Sequence, residues 1–180
     1  MMNNNSNNNS VVFVVVNRDS KALFINGSSN KYSKLFNHSN SQKASMLVIS
    51  KLLEKTADNI NKYDSITIIV PKNLYFILRK ESVYEWINNN NKTNKGTILD
   101  PEFITLAKYI SDMRNYLDNK VSITFKMIGN SNITYYEHNL IRQAWNQLDK
   151  LTMHNNNYNN YNKTNNNKPV MPKSIANRLN

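Results

Sequence analysis

The chain has 180 residues, 39% apolar and 19% charged, which suits one domain with a full hydrophobic core and leaves no room for a second. It contains no cysteine, so disulfides and thiolate metal sites are excluded. The formal net charge of +11 fits a polyanionic partner, but Asn, Lys, Ile and Tyr all have A/T-rich codons, and biased coding would give the same surplus.

Residues 1–10 are an Asn-rich leader expected to be disordered. Val11 to Val16 is an apolar, mostly β-branched run without polar alternation, the pattern of a strand covered on both faces. The run is too short to span a membrane and has no basic flank, so a soluble intracellular protein without a signal peptide is expected. Asn17-Arg18-Asp19-Ser20 predicts a turn, and Lys21 to Ile25 an antiparallel return strand closed by Asn26-Gly27. Lys31 to Phe36 reads as a short third strand, completing a meander.

Ser39-Asn40-Ser41 offers N-cap residues for a helix from about 42 to 61, with Met46, Ile49, Leu52, Leu53 and Ile60 on one stripe. Ile66 to Val70 predicts a buried strand parallel to the first, stopped by Pro71. Short helices follow over 72–80 and 82–88, the second burying Trp86 and Ile87. Asp100-Pro101-Glu102 is a helix start, with an acceptor at the cap, proline at the first position and an acid in the first turn. The helix it opens carries Phe103, Leu106, Ile110, Met113 and Leu117 on one face. Val121 to Met127 alternates as a fifth strand, and 135–151 forms a last helix with Leu140, Ile141, Ala144, Trp145 and Leu148 inward. Residues 152–180 read as an Asn-rich basic tail, where Lys163, Lys168, Lys173 and Arg178 surround Pro169 to Pro172 as a candidate anchor for a protein partner or nucleic acid. The expected architecture is α/β, a mixed five-stranded sheet of meander plus parallel strands with helices on both faces.

This string of elements over residues 11–151 resembles the ribonuclease H fold of type 1 ribonuclease H and its retroviral relatives. Ser39-Asn40-Ser41-Gln42 is similar to that family's Thr-Asn-Asn-Arg helix entry, and Tyr84 to Asn88 to its tryptophan-bearing short helix. The resemblance implies four carboxylates on two Mg²⁺ ions for phosphodiester cleavage. Carried over position by position, those acids fall on Asn17, Ala44, Pro71 (or Lys72) and Asn139, and the histidine after the last strand falls in Gly129-Asn130-Ser131. Asp19 and Glu137 lie within two residues of Asn17 and Asn139 and are the stand-ins; no acid lies that close to Ala44 or Pro71.

Other constellations are weak. His38, His138 and His154 are dispersed and read as surface histidines; Ser20, Ser28 and Ser29 lack a nucleophile-elbow context, and the three glycines form no phosphate loop. Asp112 and Asp118 fit a solvated helix face, and Trp86 and Trp145 fit the core. Tyr32, Tyr135, Tyr136, Tyr158 and Tyr161 lie near basic residues and amides, where aromatic rings can stack on unpaired bases. The expectation is therefore a catalytically inactive ribonuclease H-like module without cofactor, binding RNA, DNA, a hybrid or a nucleoprotein assembly through Lys72, Arg79, Lys80 and Arg142. The alternatives are a divergent Mg²⁺-dependent nuclease using Asp19 and Glu137, and a structural protein–protein subunit.

Overall fold

A computed structural model describes residues 9–75, 78 and 80–165, side chains at 80, 81 and 154–165 excepted. The strands are β1 (Ser10–Arg18), β2 (Lys21–Asn26), β3 (Lys31–Tyr32), β4 (Phe36–Asn37), β5 (Ser65–Val70) and β6 (Ser122–Met127). The helices are α1 (Ser41–Ala57), α2 (Lys72–Tyr75), α3 (Lys80–Asn88), α4 (Pro101–Asp118) and α5 (Tyr135–Asn165). Contacts divide the chain into Met1–Leu148, which holds all these strands, and Asp149–Asn180, helical as far as it is described.

The sheet order is β3-β2-β1-β5-β6, with β4 also paired to β2. The β1–β2 pair is antiparallel, while β1–β5 and β5–β6 are parallel. An antiparallel meander joined to parallel strands through the first strand, with helical crossovers, is the ribonuclease H-like arrangement.

The unbroken apolar run of β1 is explained by cover on both sides. Val11, Phe13 and Val15 face a core shared with Ala22, Phe24, Ile68 and Val70, under Met46, Ile49 and Leu53 of α1 and Ile110 and Leu117 of α4. The alternate residues Val14 and Val16, in register with Ile25, Leu23 and Ile69, are equally buried on the opposite face, where α5 supplies Leu140, Ala144 and Leu148.

Three details differ from the sequence expectation. The predicted third strand is two short strands, because the Ser33 hydroxyl accepts from Phe24 N (2.9 Å) while Ser33 N donates to Phe24 O (2.8 Å), so a side chain takes over one rung of the ladder. Helix α1 stops at Ala57, and Ile60 lies in a 3₁₀ turn over Ile60–Lys62. Helix α5 runs to Asn165, past the end of its apolar periodicity at Leu151. The two cap readings hold: Asn40 accepts from Gln42 N and Lys43 N, and Asp100 accepts from Glu102 N with Pro101 behind it.

Candidate nucleic-acid interface

Strands β1, β5 and β6 run parallel and end on one edge of the sheet, the edge where open α/β sheets hold their ligands. Arg18 closes β1, and the register that pairs Val14 with Ile69 carries Asn17 to the level of Pro71 and Lys72. Pro71 is buried, and its carbonyl accepts from Leu74 N and Tyr75 N; Lys72 beside it opens α2 and is exposed. Asn17 is half-buried on the face covered by α1. Asp19 is exposed at the hairpin tip, where it and Ser20 take positive φ values (46° and 65°) between the paired Arg18 and Lys21. That is the mirror-type two-residue turn, whose twist matches that of the strands.

Ala44 sits in the first turns of α1 with no exposed surface, inside the core. Its neighbour Lys43 places Nζ 2.6 Å from both Asp100 Oδ2 and Glu102 Oε2, tying the start of α1 to the start of α4. His38 Nε2 lies 3.0 Å from the other Glu102 oxygen, and its Nδ1 lies 3.2 Å from Asn40 N. His38 is thus a partner in a long-range ion cluster instead of a plain surface histidine. Asp100 holds the Lys43 ammonium above its ordinary pKa, with Glu102 adding to the effect. Both carboxyls are lowered in return, chiefly by Lys43.

On the other face, Thr134 and Glu137 form a capping box at the start of α5. Glu137 N donates to Thr134 Oγ1 (3.2 Å), and Glu137 Oε2 accepts from Thr134 N (2.7 Å). The remaining oxygen, Oε1, lies 2.7 Å from Lys126 Nζ on β6. Burial alone would raise the Glu137 carboxyl, but Lys126 and the Thr134 N–H outweigh it and hold the group below its ordinary value. Sequence reasoning passed over this box, although Thr-x-x-Glu was its visible signal. One turn on, Arg142 Nη2 donates to Asn139 Oδ1 (2.7 Å). Arg18 stacks over the Trp145 ring at 5.0 Å from its centroid, bringing the turn end of the hairpin to α5. Trp145 is therefore only half-buried, capped by a cation where the sequence pattern suggested core. Tyr135 is 82% exposed, and an open concavity of about 610 Å³ runs along this flank of α5.

Of the residues expected at the interface, the structure joins Asn139 to Arg142 and sets Lys72 at the carboxyl edge. Lys80 lies on α3 with its side chain undescribed, and Arg79 falls outside the described residues, as do Lys168, Lys173 and Arg178 of the tail. Asp112 pairs with Lys108, and Asp118 lies 3.8 Å from Arg114. The Arg114 guanidinium lies 4.6 Å from the Phe125 ring centroid and donates to Leu78 O, so these acids serve the helix surface.

The side chains at the positions carried over from the ribonuclease H family do not fit a pair of divalent cations. An alanine and a proline offer no side-chain ligand, and two amides bring no charge to a site that hard cations hold through carboxylates. Glu137 already spends both oxygens within the fold. The sheet register puts Lys126 level with Val14, and Asp19 lies five residues further along the chain, about 16 Å at strand spacing, so Glu137 and Asp19 do not converge. Among the described residues, no three His, Cys, Asp or Glu side chains gather where they would hold a metal ion. No helix among them is long and apolar enough to cross a membrane.

No family model and no curated protein sequence matches the chain. Among solved structures it is similar to the foamy viral protease-reverse transcriptase in complex with an RNA/DNA hybrid, at 17% identity and a TM-score of 0.47 over 76% of this chain. The chain spans 19% of that protein's length. It is also similar to the foamy viral protease-reverse transcriptase in complex with double-stranded DNA (17%, TM-score 0.46, 75% of this chain and 90% of that one). The PFV RNase H domain in solution gives 14% and a TM-score of 0.45, over 76% of this chain and 92% of that one. The strand order, the parallel and antiparallel pairings and the helices between them make the fold of this chain ribonuclease H-like.

Proposed function

We propose that this chain is a non-catalytic ribonuclease H-like module that binds nucleic acid, alone or within a nucleoprotein assembly, and uses no cofactor. One observation carries the reading. The positions to which the resemblance assigns metal-binding acids hold Asn17, Ala44, Pro71 and Asn139, while cationic Arg18, Lys72 and Arg142 stand at the same edge and on the adjoining flank of α5. A phosphodiester backbone is attracted to such a surface without metal ions between them. The same surface without carboxylate ligands has no means of activating water by the two-metal route. Lys80, Arg79 and the basic tail from Lys163 to Arg178 extend the cationic surface in this reading, which treats residues 11–151 as the folded module.

The test is a gel-shift titration of the full chain against labelled single-stranded RNA, duplex DNA and an RNA–DNA hybrid, at two salt concentrations, with and without Mg²⁺ or Mn²⁺. Salt-sensitive retention of uncut probe is the expected result. Metal-dependent cutting of the hybrid, abolished by Asp19→Asn, would overturn the non-catalytic reading in favour of a divergent nuclease. No retention at low salt would mean that the +11 charge is not a nucleic-acid footprint, and the same edge would then be tested as a protein–protein contact.

A further inference from the structure

We infer that the outward flank of α5 is a stacking site for an unpaired nucleic-acid strand, which resolves the general nucleic-acid reading into one class of ligand and rests on that reading. The concavity of about 610 Å³ along this flank is lined by Tyr135, His138, Asn139, Arg142, Trp145 and Asn146, and no carboxylate is among its lining residues. Each of the three kinds of group that a single strand presents has a counterpart. The phosphate meets the Arg142 guanidinium, whose direction is fixed by the 2.7 Å bond from its Nη2 to Asn139 Oδ1. The base edge meets the side-chain amides of Asn139 and Asn146, which can both donate and accept. The base face meets Tyr135, 82% exposed, while Trp145, its ring covered by Arg18, lies further along the helix as a reporter of the occupied site.

Two features of the fold keep carboxylates out of the lining of this concavity. Glu137 is turned inward, 4% exposed, and neutralised by Lys126. Position 139 carries an amide where a carboxylate would repel an approaching phosphate unless a cation intervened. Tyr136 has a different task, since its hydroxyl donates to Gly27 O (3.0 Å) and so anchors α5 to the end of β2. Tyr135 has no such duty, and an aromatic ring left mostly in solvent at the mouth of a basic, amide-lined concavity is suited to stacking on a base. A duplex hides its base faces and presents only phosphate to this flank, so the site discriminates in favour of the open strand.

The experiment uses the full chain in a Trp86→Phe background, which leaves Trp145 as the only tryptophan. A labelled oligothymidylate and a duplex of equal length are titrated at one salt concentration, following probe anisotropy and Trp145 emission. The expected result is at least tenfold tighter binding of the single strand, with quenching of Trp145. Tyr135→Ala should weaken the single strand at least tenfold, leave duplex affinity unchanged and leave the thermal midpoint unchanged, as fits an exposed ring. Arg142→Gln should weaken both ligands. Equal binding of strand and duplex, with no quenching and no effect of Tyr135→Ala, overturns the stacking site and leaves the general nucleic-acid reading standing. No binding of either oligonucleotide at low salt overturns both.

Discussion

Gly27 has room for a hydrogen atom and nothing larger. A methyl group there would lie 2.7 Å from Leu140 Cδ1, 2.8 Å from Tyr136 Oη and 3.0 Å from the backbone oxygen of Val12. Two of these neighbours belong to α5 and the third to β1, so the residue sets how closely the helix approaches the sheet. Gly27→Ala should cost about 1–3 kcal/mol by overpacking, read as a lower urea midpoint at unchanged slope. Glu137 is the other residue on which the α5 face turns. Its carboxyl, like those of Asp100 and Glu102, is held below its ordinary pKa in the folded chain. The sign follows from linkage: the unfolded chain takes up protons first as pH falls, so this stabilisation is full above the ordinary Glu value of 4.5 and is lost as pH drops through the lowered folded values. The thermal midpoint should therefore hold steady from neutrality to about pH 5 and fall below about pH 4. Glu137→Gln should lower stability at neutral pH by about 1–2 kcal/mol and flatten that acid slope, both visible in thermal melts across pH.

At the scale of elements, the β1–β2 hairpin places an aspartate and a serine in left-handed conformations that Asn and Gly adopt at lower cost. The double change Asp19→Asn, Ser20→Gly should stabilise the fold by about 0.5–1 kcal/mol, measured by denaturant titration. Which elements were legible in the sequence, and which were not, follows the range of the forces involved. The β1 run, the Asn40 and Asp100 caps and Met46, Ile49, Leu52 and Leu53 of the α1 stripe rest on contacts within a few residues or on burial of a whole segment, and they stand as read, whereas Ile60 falls beyond the helix. The break between β3 and β4 depends on one serine hydroxyl reaching across to Phe24, which strand periodicity does not encode. The stripe of α4 is displaced: Ile104 and Ala107 are buried while Leu106 and Met113 are only partly so, because α4 packs against both α1 and α3. The candidate site was legible to a lesser degree. Asn139 and Arg142 were each named in the sequence and lie three residues apart, but their bond was not anticipated, and the Lys43 cluster and the Arg18–Trp145 stack join residues 57 or more positions apart. Glu137 shows that a residue type alone does not assign a role, since an acid two residues from a position the resemblance gives to a metal ligand is a helix cap.

For the whole molecule, the surplus of 23 Lys and Arg over 12 Asp and Glu becomes a measurable quantity. Among the described residues, part of the positive charge is held within the fold at Lys43, Lys51, Lys108, Arg114 and Lys126, each paired with a carboxylate. If Lys72 touches a phosphate, Lys72→Ala should reduce the slope of log affinity against log salt by about 1, without changing sequence preference. Lys51→Ala, whose ammonium is already paired with Glu54, should leave that slope unchanged. Measuring both slopes separates a localised contact surface from diffuse attraction to a basic protein.

The methyl group of Ala44, with no exposed surface, has a consequence for any attempt to place a carboxylate there. A glutamate at that position would need space and hydration that the packed core now denies it, and a lone buried carboxylate is unfavourable until a cation arrives to offset it. The cation, in turn, has no foothold until the acids at 17, 71 and 139 are also present, and Pro71 is itself buried between strand and helix. Ala44→Glu on its own should therefore lower stability and supply no metal site. Packing of this kind works in one direction: a position filled with hydrocarbon admits a charged group only after the core around it has opened.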